Sequence, residues 1–193
     1  MPRTKSFDRE DVIQKAMLVF WKKGYHDTSI EDLVQALGIN RASLYDTFGG
    51  KRQLFDLALN SYHTFNANRI SEFLRSQDDA KAALSWLFRR IIEDDCLDED
   101  RKGCFVANTT TELAPHDEEI AKIIVAHKEN NEEAFFELFS RCQQAGQISA
   151  DKDARALARL VYTLMQGLRT IGKTRPNKEE LIAATEQVLE LLD

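Results

Sequence analysis

Proline is almost missing from this 193-residue sequence, with three residues, and glycine is sparse at eight. Few breakers leave room for long helices, and the regularly spaced turn signals of a many-stranded chain are not there. No apolar run approaches the roughly 18 residues that a membrane span requires. The opening MPRTKSFDREDV lacks the apolar stretch of a secretory leader, so the expected compartment is the cytoplasm, with no membrane partner. Cysteine is limited to Cys96, Cys104 and Cys142, an odd number at wide spacing. That excludes a disulfide framework or a zinc cluster. His26, His63, His116 and His127 are scattered without ligand spacing, so no metal and no cofactor are expected. Catalytic signatures are missing too: there is no G-x-S-x-G, no phosphate-cradling glycine loop and no H-E-x-x-H. The carboxylate pairs Asp94-Asp95 and Glu118-Glu119 are neighbours in sequence, and neighbours on a helix point apart. The chain is expected to bind rather than to catalyse.

What is present is a soluble, globular balance, 43% hydrophobic and 30% charged. The net charge of −6 is unevenly spread. The first 60 residues carry nine Lys/Arg against eight Asp/Glu; the remainder carries 17 against 24. An acidic body with a near-neutral N-terminal segment permits nucleic-acid binding if the cations of that segment share a face.

Apolar residues recur at helical spacing throughout, and the expected fold is all-α with about nine helices. A helix over 8–23 ends at Gly24. Thr28 is then read as an N-cap, with Glu31 completing a T-x-x-E capping box. Gly38 supplies a sharp turn, and Asn40 caps a helix over 41–48. After Gly49-Gly50 the periodicity predicts helices over 51–75, 78–94, 104–113, 117–145, 151–171 and 178–192. The expected organisation is a three-helix, helix-turn-helix head over 1–50 and a larger helical bundle over 51–193 for sensing and dimerisation.

The segment TSIEDLVQALGINRASLYDTF is the informative one. Ile30, Leu33, Val34, Leu37, Ile39, Leu44 and Phe48 form one apolar set across two short helices joined at Gly38. The second helix opens with Asn40, Arg41, Ala42 and Ser43, small and polar enough to enter a major groove, where Arg can grip guanine. Thr28 at a helix N-terminus, Tyr45 one turn beyond Arg41, and Lys51 suit phosphate contacts. A protein–protein adaptor of the same shape would expose apolar residues on this helix; here Asn40, Arg41, Ser43 and Asp46 stand there.

The stretch FWKKGYHDTSIEDLVQALGINRASLYDTFGGKRQLF, about 36 residues, resembles the N-terminal domain of TetR/AcrR regulators. The likeness is carried by Lys23-Gly24-Tyr25, Thr28, Gly38-Ile39-Asn40, Leu44-Tyr45, Phe48 and Lys51. It departs from the family pattern at Val34, where Ala is usual, and at Thr47, where His is frequent. The resemblance implies a homodimer with two heads on a palindromic DNA operator, a repressor released by a small-molecule effector. It also implies pairing of the last two helices between subunits, along the stripe Ala154, Leu157, Ala158, Val161, Leu164, Met165, Leu168, Ile171 and the stripe Leu181, Ile182, Val188, Leu189, Leu191, Leu192.

For the effector, polar residues on otherwise apolar stripes are the signal. His127 and Asn131 interrupt the stripe Ile120, Ile124, Phe135, Leu138, and Asn66 interrupts that of Leu59, Tyr62, Ile70. Buried polar groups need partners, and a ligand is one kind of partner. Tyr62, Asn66, Trp86, Phe105, His127 and Asn131 are therefore the pocket candidates. Cys104 follows Arg101 and Lys102 and opens a short helix, a setting that favours a reactive thiolate. Its segment GCF-x-x-N, together with GLRTIGK at 167–173, resembles a TetR subgroup in which some members sense electrophiles or oxidants through the matching cysteine. Cys104 is the redox candidate, with Lys173 as a cation that can approach it; Cys142 reads as inert core.

Overall fold

The computed structural model describes residues 7–174 and 176–192; residues 1–6, at the start of the segment read as lacking a leader, lie outside them. Asp8 opens α1 (Arg9–Lys23) by accepting from the amides of Glu10 and Asp11. The turn after it carries the first departure from expectation. Ser29, not Thr28, caps α2 (Ile30–Leu37), and the reciprocal box closes on Asp32 rather than Glu31. Thr28 is buried and donates its hydroxyl to Gly24 O at 2.6 Å, which welds the turn to the end of α1. The local sequence offers both T-x-x-E and S-x-x-D; burial of Thr28 decides between them. Gly38 adopts φ +66°, a left-handed conformation that an L side chain rarely takes. Asn40 then caps α3 (Arg41–Phe48) through Ser43 N at 2.8 Å.

Six further helices complete the described residues: α4 (Lys51–Arg75), α5 (Ala80–Leu97), α6 (Phe105–Glu112), α7 (Glu118–Gln144), α8 (Ala154–Ile171) and α9 (Lys178–Leu189), with short 3-10 turns after α6, α8 and α9. No strand occurs among the described residues. Arg52 on α4 ties the first turn of α4 to α7: it bonds Asp117, the N-cap of α7, and Asp56 at 2.9 Å.

Two apolar cores result, and the upper one crosses residue 50. The upper one joins the head (Val12, Ile13, Phe20, Leu33, Leu44) to α4 (Leu54, Phe55, Leu59, Tyr62) and α6 (Phe105, Val106). The lower one packs α5, α7, α8 and α9 around Phe88, Phe135, Leu138, Phe139 and Val161. The chain turns sharply at Gly49-Gly50, but the packing runs straight across that turn.

Candidate nucleic-acid interface and effector cavity

Leu44 and Phe48 anchor α3 in the head core, which turns Arg41, Ala42, Tyr45 and Asp46 to solvent. Arg41 makes a 3.1 Å pair with Glu31, both well exposed, and lies over the Tyr45 ring at 5.8 Å. An exposed pair of this kind is worth little, so the guanidinium is available to a base edge. Ser43 is half-buried beside it. Asn40 is exposed, with its Oδ1 already used as the cap of α3. Thr28, expected at a phosphate, is turned inward; the exposed hydroxyl at that helix N-terminus belongs to Ser29. Lys51 is held against the head, 4.4 Å from the Tyr25 ring centroid and 3.5 Å from His26 O.

The second feature is a cavity of about 410 Å³ between α4, α5, α7 and α8, with Cys104 in its wall. Four expected residues, Tyr62, Asn66, Trp86 and His127, line it, and so does Cys104. Two do not. Phe105 packs edge-on against Phe55 and Tyr62, each at 5.6 Å, deep in the upper core. Asn131 sits behind His127, donating from Nδ2 to His127 O at 2.8 Å and facing His127 Nε2 at 3.3 Å. The apolar walls are Ile70, Phe73, Leu87, Ile91 and Met165, and Trp86, 54% exposed, lies at the mouth 4.5 Å from the Phe73 ring.

Electrostatics at the inner end centre on residues that spacing could not reveal. Arg169 lines the cavity and donates from Nη1 to Asp95 Oδ1 at 2.7 Å. Burial pushes the Asp95 carboxyl up and outweighs the opposing pull of Arg169. Burial raises the Tyr62 hydroxyl well above its usual range, so it stays a donor, 3.7 Å from Cys104 Sγ. Burial also lowers His127, to about 4, with the neighbouring His63 ring contributing. Lys173, expected near Cys104, gives its ammonium to Asn108 Oδ1 at 2.9 Å. Its stem covers Gly103, where φ is +62° and a Cβ would come within 2.9 Å of Arg169 O.

Cavity and head are joined by short links across the upper core. Trp21 of α1 donates from Nε1 to Gly103 O at 3.1 Å, next to Cys104, and stacks edge-on against Tyr62 at 5.0 Å. At the far end of α6 the Glu112 carboxylate accepts from Tyr25 N at 3.1 Å and His26 N at 2.7 Å. No helix among the described residues is long and apolar enough to cross a membrane.

Comparison with known proteins agrees with this arrangement. Residues 12–58 match the family model described as bacterial regulatory proteins of the tetR family, and residues 82–188 match the tetracyclin repressor-like C-terminal domain. The chain is 34% identical over 194 residues to YezE of Bacillus subtilis (strain 168), an uncharacterized HTH-type transcriptional regulator, covering 100% of both. It is 29% identical to the HTH-type transcriptional repressor ComR of Escherichia coli (strain K12), covering 98% of this chain and 90% of that protein. A triple cysteine mutant of the TetR family regulator CifR, complexed with 26-bp double-strand operator DNA, superposes with a TM-score of 0.87 at 30% identity, over 99% of this chain and 100% of that one. The chain belongs to the TetR family of bacterial regulatory proteins and is a DNA-binding transcriptional regulator.

Proposed function

We propose that this regulator is a cytoplasmic, non-catalytic homodimeric repressor that leaves a palindromic operator when a small molecule fills the α4–α8 cavity. The observation that carries the reading is the physical join between cavity and head: Tyr62 and Cys104 line the one, and Trp21 reaches both Tyr62 and the carbonyl next to Cys104. Two heads on one face of DNA must match half-sites about 34–36 Å apart or a multiple of that. A cavity wall that moves on filling shifts α1 and spoils the match. Coupling of roughly 1–3 kcal/mol between the two sites suffices. The exposed apolar residues Leu160, Ile171 and Leu191, with half-buried Leu157 and Leu164, support pairing through α8 and the end of the chain after α9.

The test is a titration of the protein against the intergenic region upstream of its own gene, at several salt concentrations. Arg41→Ala is expected to cost roughly 1–3 kcal/mol on the best site and to relax base preference. Lys51→Ala is expected to weaken binding to every sequence alike and to flatten the salt dependence. If Arg41→Ala ranks sequences as the wild type does, α3 does not read bases through Arg41.

A second mode of release is favoured by the position of Cys104 on the cavity wall, beside the Tyr62 hydroxyl. Here the Cys104 thiol adds across the activated C=C of an electrophile that enters the cavity: the S–C bond forms as the π bond breaks, and the thiol proton ends on the adjacent carbon. Treatment with N-ethylmaleimide is then expected to abolish operator binding by the wild type and to spare Cys104→Ser. Equal loss in both proteins rules Cys104 out as the switch.

A further inference from the structure

Two side chains that carry hydrogen-bond donors, His127 and Arg169, stand in the cavity wall, and they bear on the chemistry of what fills it. His127 is 4% exposed and lines the cavity, and its Nδ1 has no hydrogen-bond partner among the described residues. The Asn131 amide settles the tautomer. Its Nδ2 donates to the His127 carbonyl, which can only accept, so the amide cannot be turned round without losing that bond. The same Nδ2 faces His127 Nε2 at 3.3 Å. Nε2 must then be the accepting nitrogen, and the single proton of the neutral ring sits on Nδ1. The ring is neutral at physiological pH because burial holds its pKa near 4.

Arg169 supplies the other donors. One nitrogen is committed to Asp95, and a guanidinium carries five N–H groups in a planar fork. At the mouth the exposed charges offset one another: Arg69 and Arg90 stand with Glu72 and Asp94, and Arg90 pairs with Asp94 at 3.1 Å. Selection by charge therefore falls to the inner end, where Arg169 is the charged lining residue and would repel a ligand ammonium; Asp95, its partner, is not among the lining residues.

Resting on the regulator reading above, we infer that the effector is an aromatic or apolar molecule with a terminal oxygen acceptor, a carboxylate or a carbonyl. Its head is seated on His127 Nδ1–H and Arg169, and its body lies between Ile70, Phe73 and Met165 under Trp86. The buried Nδ1–H is an unmet donor, and such a group costs stability until something accepts from it. Filling the cavity with an acceptor relieves that cost; filling it with a donor does not.

The experiment compares three matched probes, hydrocinnamate, hydrocinnamamide and phenylpropylamine, on the full-length protein. Affinities come from saturation-transfer NMR, which reads weak binding. Hydrocinnamate and hydrocinnamamide are expected to bind roughly tenfold or more tightly than phenylpropylamine. His127→Leu is expected to erase most of that preference. Hydrocinnamate is expected to bind more tightly than hydrocinnamamide because its carboxylate meets the Arg169 guanidinium, and Arg169→Gln, which keeps neutral donors, is expected to remove that difference. The inference is overturned if phenylpropylamine binds as well as the other two, if none of the three binds, or if both variants keep the wild-type ranking. Operator titration without any probe judges the regulator reading separately: failure there counts against DNA binding and leaves the probe ranking to stand or fall alone.

Discussion

Between pH 6.5 and about 4 the wild-type protein is expected to lose about 3 kcal/mol of folding stability that a His127→Leu protein keeps. The direction follows from which state takes the proton first. In the unfolded chain the imidazole titrates near 6.5; in the fold, burial and the adjacent His63 ring hold it unprotonated down to about 4. Between those values the unfolded state binds more protons, so stability falls as pH falls. His63 is depressed in the same sense, by burial, and adds to the loss. Urea unfolding of the two proteins at several pH values isolates His127, because the carboxylates are common to both. Parallel curves for wild type and His127→Leu across this window would show that His127 titrates normally in the fold.

The largest single-residue effect is expected at Phe55. Its ring meets Phe20 at 5.1 Å, Tyr25 at 5.0 Å and Phe105 at 5.6 Å, so one side chain contacts the end of α1, the turn after it and α6. Phe55→Ala removes a fully buried ring at the junction of three segments and should cost roughly 3–5 kcal/mol. The damage should not stop at stability. With α1 no longer braced against α4 and α6, operator affinity should fall even though no DNA-facing residue has changed. A cost below about 1 kcal/mol would mean that the upper core closes over the gap.

The punctuation of this fold was legible in the sequence. Gly24, Gly38, Asn40, Gly49-Gly50 and Asp117 end or begin helices where the residue types say they must, and the long helices fall within a few residues of their expected limits. The stripe of α8 divides in two: Ala154, Ala158, Val161, Met165 and Leu168 pack inside the chain, while Leu157 and Leu164 are half-buried and Ile171 is exposed. Periodicity gives a face, not what covers it. The same limit explains Phe105 and Asn131. Both lie on inward stripes, and only tertiary packing decides whether an inward residue meets a cavity or another side chain. Glu112, Arg169 and Trp21 were missed altogether. Their partners lie 74 to 87 positions away along the chain, and no spacing rule reaches that far.

The grip of Glu112 on the head is made to main-chain amides, those of Tyr25 and His26. Every residue except proline has such an amide, so the contact is blind to side-chain identity on the head. Outward residues such as Arg41 and Tyr45 can therefore change without touching this contact. Phe20, Trp21 and Tyr25, which pack on Phe55 and Tyr62, carry the part of the join that does depend on side chains.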